Sequence, residues 1–325
     1  MSEMLDKKEI DKLASSFRES RILLSAVELD LFTTLDGKLL TSKTIAEELN
    51  ADESSLEILL NALCALGLLK KSKNKYFCAE TASRYLSRKS GDYMANLRHT
   101  ANQWRRWNNL TGIVKNGRGA VTLSGNEADR EEFIAAMHYR AKPQADIISY
   151  MIDLSGVRKM LDIGGGSGAF SYAFMKRNPE LKSVILDLPE IIPITKRYAS
   201  EEQMTERTEF IEGDFLTADF GKNYDMVFIS SIIHMNGSGQ NKLLIKKSAE
   251  ALAPNGFIVI RDWAMNDNLT EPPEAALFSV NMLVSTKEGR NYSEREIEEW
   301  FDNAGVRRTE KKETGFGPSL YIGFK

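Results

Sequence analysis

Apolar residues recur at two different periods along the chain, and the change falls near residue 155. Before it they step by threes and fours. In LLTSKTIAEELNADESSLEILLNALCALGLLKKSKNKYFCAE, Leu56, Leu59, Leu60, Leu63 and Leu66 keep that step, which is one face of an α-helix. This helix is expected to start near Asp52, and Gly67 stands where a C-cap glycine stands. Thr41 or Ser42 is a candidate cap for a preceding helix ending at Asn50. LLKKSKNKYFC then reads as a small hairpin turning at Ser72 to Asn74. Residues 96–155 read as further helix, with Trp104, Trp107, Phe133, Met137 and Tyr139 among polar neighbours.

From Val157 the pattern becomes strand and helix in alternation. VRKMLDIG, LKSVILDL, TEFIEG, YDMVFISSI and GFIVIRDW are short apolar strands separated by amphipathic stretches. That is the signature of an α/β, doubly wound parallel sheet. The end differs: VRRTEKKETGFGPSLYIGFK reads as two strands around a Gly-Pro turn, an antiparallel hairpin on the sheet edge. With 325 residues, about two domains are expected. The expected division is a helical domain over 1–95, a helical linker over 96–155, and the α/β domain over 156–325.

Helix, turn, helix and hairpin outline a winged helix, a shape that often docks on DNA. Here the candidate recognition helix, Glu53 to Leu69, holds two Glu and neither Lys nor Arg, whereas a groove-binding helix needs donors for phosphates and base edges. Lys70, Lys71, Lys73 and Lys75 fall on the wing and read as a solvated charge run. The chain carries 43 Lys and Arg against 46 Asp and Glu, a net charge of −3. No bulk attraction to nucleic acid or anionic lipid follows, and neither partner is expected. The apolar first helices, with Ile22, Leu23, Leu24, Val27, Leu29, Leu31 and Phe32, suit a subunit interface instead.

Two cysteines, Cys64 and Cys78, with neither a CxxC pair nor a His-rich tract, give no disulfide framework and no expected metal site. The start, MSEMLDKKEIDK, is charged and lacks an apolar h-region, so no signal peptide is expected. The longest uncharged stretch, Met226 to Asn241, is short of the ~20 apolar residues of a membrane span. A reducing cytoplasm is the expected compartment.

LDIGGGSGAF carries the strongest chemical signal. A strand runs into Gly164, Gly165, Gly166, Ser167 and Gly168, then a helix. Glycines permit tight turning and close approach of backbone to ligand, and the helix start offers free N–H groups. Gly164, Gly166 and Ala169 also fit a dinucleotide fingerprint, so the loop alone leaves two cofactors open. Asp162, two residues before Gly164, favours a cationic amino-acid group, directly or through water, and repels a pyrophosphate. Asp187, before Leu188 in VILDLPE, is placed to accept ribose hydroxyls, a need shared with NAD. Gly213, Asp214 and Phe215 in EGDF offer an acceptor for the adenine amino group and a ring face for the base. The three together point to S-adenosylmethionine rather than NAD.

With these motifs in order, the chain resembles the class I S-adenosylmethionine-dependent methyltransferases, in particular the small-molecule O-methyltransferases with an N-terminal winged-helix dimerisation domain. The resemblance runs over nearly the whole chain: winged helix, helical linker, LDIGGGSGAF, VILDLPEII, EGDF, YDMVFISSIIH, APNGFIVIRD and the terminal hairpin. It implies a Rossmann-like sheet, S-adenosylmethionine as methyl donor with S-adenosylhomocysteine as product, no metal, and a homodimer through the N-terminal domain that lends residues to the partner's pocket.

His234 follows the fourth apolar strand, at the strand ends where open α/β sheets bind ligands. A neutral phenol, with a pKa of about 10, is a poor nucleophile, and a histidine near pH 7 can take its proton as the bond to the methyl group forms. The resemblance gives His234 the role of general base. Asp262 in IVIRDW matches an acid of the family; read from the residues alone, it is open between orienting the His234 ring and forming a turn or ion pair. A second family acid falls in a G-R-E-Y-type segment, where this chain has GRNYS and Asn291. Met235 stands where many relatives have Asp, and Ser230 and Ser231 replace the basic and aromatic residues of plant relatives. Ser230 is expected to touch the donor. Trp104, Phe133, Met137, His138, Met282 and Asn291 are the expected substrate wall, His138 being open between lining the pocket and capping its helix. The expected function is O-methylation of a small, aromatic hydroxyl compound. The alternatives are a carbon or nitrogen acceptor in the same fold, an NAD-dependent oxidoreductase, and a non-catalytic winged-helix regulator that binds S-adenosylmethionine.

Overall fold

The computed structural model describes residues 5–118 and 127–325. Contacts divide the chain into two units, Met1–Trp104 and Arg105–Lys325.

The N-terminal unit runs α1 (Lys7–Ser15), α2 (Phe17–Glu28), α3 (Leu31–Leu35), β1 (Leu40–Thr41), α4 (Ser42–Leu49), α5 (Glu53–Ala65), β2 (Leu69–Ser72), β3 (Lys75–Cys78) and α6 (Glu80–Leu86). Its helix ends follow local chemistry. Thr41, rather than Ser42, caps α4 by accepting from the Thr44 amide at 3.2 Å, and Asp52 caps α5 by accepting from Ser55 at 2.8 Å. Asn50 ends α4 in the left-handed region, where a short polar side chain is tolerated. The hairpin pairs Ser72 with Lys75, and β1 adds a third strand that the two-residue LT segment did not signal, giving the order β1-β3-β2. Leu31, Phe32, Leu35, Ile45, Leu60, Leu63 and Tyr76 form the core. By contrast α1 buries nothing, and Ile10, Leu13 and Phe17 are each more than half exposed.

The division between the units falls within α7 (Asn96–Trp107). The larger unit continues with α8 (Leu110–Asn116), α9 (Glu127–Met151), β4 (Lys159–Ile163), α10 (Ala169–Arg177), β5 (Lys182–Asp187), α11 (Ile192–Glu201), β6 (Thr208–Glu212), β7 (Tyr224–Ser230), α12 (Ser238–Ala251), β8 (Leu252–Asp262), β9 (Ala264–Met265), α13 (Pro273–Ser285), β10 (Tyr292–Ser293), α14 (Glu294–Asn303), β11 (Arg308–Glu313) and β12 (Ser319–Phe324). Seven strands form one sheet in the order β11-β12-β8-β7-β4-β5-β6. The five from β8 to β6 are parallel, and the terminal hairpin joins β8 antiparallel.

Strand alternation divides this core into two layers. Leu161, Ile163, Val227, Ile229, Ile258 and Ile260 pack with α12 and α14 on one face. Met160, Ile185, Met226, Phe228 and Val259 pack with α9 and α10 on the other. The chain leaves β4 for β5 and β6 on one side and reaches β7 and β8 on the other. That reversal opens a crevice at the carboxyl ends of β4 and β7, the usual seat of ligands in such sheets.

Candidate active site

The glycine loop leaves β4 at the sheet reversal. Gly164 has φ +66°, and a Cβ there would collide with the side chain of Ile232, in the segment after β7. Gly168 ends the loop with φ +78° as the N-cap of α10, and a Cβ would strike the Tyr172 ring. Gly166 lies between them, also at positive φ. Glycine is thus dictated by backbone and space together at 164 and 168, and by backbone alone at 166.

Two carboxyls lie against this loop. Asp187, at the end of β5, accepts from the Gly166 amide and from the Leu188 amide, each at 2.8 Å. A carboxylate has about four lone-pair directions, so half of its accepting capacity is left for a ligand. Desolvation pushes its pKa up to about 6 despite both amides. Asp162 is buried beneath the loop and accepts from Ser171 Oγ at 2.6 Å. Burial first, and then the neighbouring Asp187, push it up to about 7. Desolvated acids beside a backbone cradle suit a cationic, hydroxyl-bearing ligand and disfavour a pyrophosphate. On that count the residues present fit S-adenosylmethionine, with its sulfonium, ammonium and ribose hydroxyls.

The loop after β6 lies beside this pair. The Gly213 amide donates to the Asp187 carbonyl at 2.9 Å. Asp214 is exposed and turns its chain by accepting from the Leu216 amide at 2.8 Å. Phe215 is half-buried against the core. Lys247 on α12 pins the loop by donating to the Phe215 and Ala218 carbonyls at 2.6 and 2.8 Å.

Beyond β7, Ser231 adopts φ +60° and the chain enters a short 3-10 turn, Ile233–Met235. Asn241 braces the turn by donating to the Ile233 carbonyl at 2.9 Å. The turn carries His234, whose Nδ1 lies 2.6 Å from Asp262 Oδ1 at the end of β8. His234 is 7% exposed and Asp262 1%. Asp262 also accepts from the Trp263 amide at 2.8 Å. An ionised Asp262 requires the proton on Nδ1, which leaves Nε2 as the free base of a neutral ring. Phe278 of α13 meets the imidazole edge-on at 4.9 Å, a contact that no sequence pattern signalled. Met282, one turn further along α13, is buried.

The other expected wall residues are carried by several elements. Phe133 on α9 packs with Ile134, Ile191 and Ile194. His138, on the same helix, stacks on Tyr198 at 4.4 Å and sits 3.0 Å from Ser167 Oγ of the glycine loop; burial lowers its pKa. Met137 is half-buried beside it. Asn291 is buried and donates from Nδ2 to the Ala275 carbonyl at 2.6 Å, while its Oδ1 has no hydrogen-bond partner among the described residues. Trp104 belongs to the N-terminal unit, where the Arg21 guanidinium lies 5.6 Å over its ring. Trp107 donates to Asn281 Oδ1 on α13 at 3.1 Å. Sequence reasoning passed over Arg261, the neighbour of Asp262, which is buried on the α10 face of the sheet beside Ser230 and Ser231. Among the described residues, no group of three His, Cys, Asp or Glu could hold a metal ion, and no helix is long and apolar enough to cross a membrane.

The chain is similar to known proteins over most of its length. Residues 92–307 match the O-methyltransferase domain, and residues 11–88 match the O-methyltransferase dimerisation domain. The 3-hydroxy-5-methyl-1-naphthoate 3-O-methyltransferase of Streptomyces sahachiroi is 30% identical over 307 residues, covering 90% of this chain and 87% of that one. The tetracenomycin polyketide synthesis 8-O-methyl transferase TcmO of Streptomyces glaucescens is 29% identical over 327 residues, 98% of this chain and 96% of that one. The crystal structure of human N-acetylserotonin methyltransferase in complex with SAM superposes with a TM-score of 0.84 at 25% identity, covering 100% of this chain and 99% of that one. With the domain match spanning most of its length and these relatives aligned nearly end to end, this chain belongs to the O-methyltransferase family.

Proposed function

We propose that this methyltransferase transfers a methyl group from S-adenosylmethionine to the hydroxyl of a small aromatic compound, with His234 as general base. The observation that carries the reading is the 2.6 Å contact between His234 Nδ1 and Asp262 Oδ1 at the carboxyl edge of the sheet. When bound, S-adenosylmethionine supplies a methyl group made electrophilic by its sulfonium sulfur. His234 Nε2 takes the hydroxyl proton as the acceptor oxygen bonds to that carbon and the carbon–sulfur bond breaks. Asp262 holds the ring in the tautomer that leaves Nε2 free and stabilises the imidazolium that forms. Asp187, with two accepting directions left, holds the ribose hydroxyls; Asp162 adds negative potential beneath the amino-acid end. Asp214 and Phe215 receive the adenine, and Phe278 and Met282 wall the acceptor beside His234. Aromatic relatives such as the hydroxynaphthoate and polyketide enzymes support a flat acceptor. The match to the dimerisation domain, with the exposed apolar face of Ile10, Leu13 and Phe17, supports a homodimer through the N-terminal unit.

The test is a panel of catechols, hydroxyquinones and hydroxynaphthoates offered with isotopically labelled S-adenosylmethionine, the product bond being assigned by NMR. A labelled methyl ether on an aromatic ring is the expected product. Label found only on carbon or nitrogen contradicts the reading.

A further inference from the structure

Arg261 is a buried cation whose hydrogen-bond partners among the described residues are all neutral. The residue is 6% exposed. Its Nη2 donates to Gln144 Oε1 of α9, and its Nη1 lies 3.4 Å from both Ser230 Oγ and Ser231 Oγ. The guanidinium carbon sits 5.1 Å over the Phe170 ring, and Nε has no hydrogen-bond partner among the described residues. Every one of these neighbours is neutral. Asp262, next in sequence, points to the opposite face of β8 and is engaged by His234 and the Trp263 amide. Burial lowers the Arg261 pKa to about 10, so the group stays charged at neutral pH. A charge taken out of water is costly unless an opposite charge and a full set of hydrogen bonds meet it. Arg261 feels the charge of Asp262 but makes no ion pair among the described residues, and its hydrogen-bond set there is incomplete.

Its position says where an ion-pair partner comes from. Arg261 pairs in register with Ser230 across β7 and β8, and Ile229 pairs with Ile163 across β7 and β4. One further step along that register sets Ser230 beside Gly164. The Cα of Arg261 therefore lies about two strand spacings, or ~10 Å, from the start of the glycine loop, and its side chain is on the α10 face that also holds Asp162. Phe170, under the guanidinium, belongs to the first turn of the helix that follows the loop. Ser230 and Ser231, with short side chains, flank the guanidinium at the end of β7.

We propose that Arg261 is a carboxylate-binding residue of the transfer site, its planar guanidinium receiving the carboxylate of a bound ligand. The inference rests on the methyltransfer reading above and adds the recognition of an anion to it. The carboxylate belongs either to the amino-acid end of the methyl donor or to an aromatic carboxylic acid acceptor. A guanidinium offers two parallel donors to such a group, and the desolvated setting strengthens the pair.

The test compares ligands that differ only by the carboxylate. Calorimetry on the full-length protein first sets S-adenosylhomocysteine against its decarboxylated analogue. A second arm, run with S-adenosylhomocysteine saturating, sets 3-hydroxy-2-naphthoate against 2-naphthol. The wild type is expected to prefer the carboxylate by ~10- to 100-fold in one arm. Arg261→Met is expected to reduce that preference to within about threefold while binding the neutral ligand as before. Loss in the first arm assigns the donor, and loss in the second assigns the acceptor. Thermal unfolding checks that Arg261→Met is folded; Arg261→Gln is the second variant, with the same binding expectation. A preference unchanged by both substitutions in both arms overturns the proposal, as does a wild type with no preference in either arm. A wild type that does not bind S-adenosylhomocysteine at all overturns the methyltransfer reading instead.

Discussion

His234 and Asp262 are 28 residues apart in sequence and 2.6 Å apart in space. The contact exists because β7 and β8 are parallel neighbours that end level with each other, Ser230 pairing with Arg261. Each residue follows its strand by a short, fixed path. The 3-10 turn after Ser231 brings the imidazole back over the end of β8. If Asp262 fixes the ring tautomer, Asp262→Asn should lower turnover by ~10²–10⁴-fold with little change in donor affinity. Steady-state kinetics beside calorimetry with S-adenosylhomocysteine checks this. Near wild-type turnover would make Asp262 a structural residue of the β8 end.

Asp187 spends two accepting directions on backbone amides and keeps two. Asp187→Ala should weaken S-adenosylhomocysteine binding by ~1.5–3 kcal/mol, the usual range for a hydrogen bond to a charged group. Titration calorimetry reads it directly, and an unchanged affinity would remove Asp187 from the binding site.

The same residue makes binding depend on pH. Desolvation lifts the Asp187 carboxyl from 3.8 to about 6, and burial lifts Asp162 to about 7. The folded chain thus keeps protons that the unfolded chain has already lost. The stability these groups contribute is fully present below about pH 3.8 and is lost as pH rises through about 6 and 7. A ligand that uses the Asp187 charge must expel its proton, so affinity for S-adenosylhomocysteine should rise between about pH 5 and 7. Calorimetry near pH 6 in two buffers of different ionisation enthalpy should show proton release, and Asp187→Asn should reduce it, the remainder belonging to Asp162. Proton uptake on binding would contradict the assignment.

Gly164 carries two constraints at once, a left-handed backbone and contact with Ile232. Gly164→Ala should cost at least ~1–2 kcal/mol from the backbone alone, and urea unfolding measures it. A fully stable variant would show that the loop has another conformation available.

Much of this was legible beforehand because it is local. Thr41, Asp52 and Asn50 set helix ends by contacts within three or four residues, and the Ser72 to Lys75 turn fixes its own register. The glycine loop and the acids at the strand ends were legible because each follows a recognisable apolar strand. What escaped is what the fold assembles from afar. Gln144 and Arg261 are 117 residues apart, and nothing near Arg261 in sequence marks it as buried. Phe278 meets His234 from a helix whose apolar residues read as ordinary core. The sequence places Asn291 where the family has an acid, but its tie to the Ala275 carbonyl depends on how α13 packs.

The face of Ile10, Leu13 and Phe17 is the clearest exposed apolar stripe of the N-terminal unit, and a stripe of this kind marks an interaction surface. Leu13→Glu should shift the full-length protein toward monomer in light scattering. A dimer of unchanged mass and dissociation constant would move the interface elsewhere.

The central claim is that His234 takes the acceptor's proton, and its most direct test is turnover of His234→Ala on the identified acceptor with donor affinity measured alongside. A base needed only in the transition state predicts a ~10²–10⁴-fold fall in turnover, with S-adenosylhomocysteine bound as tightly as by the wild type. A variant that methylates the same acceptor at near wild-type rate would contradict the claim.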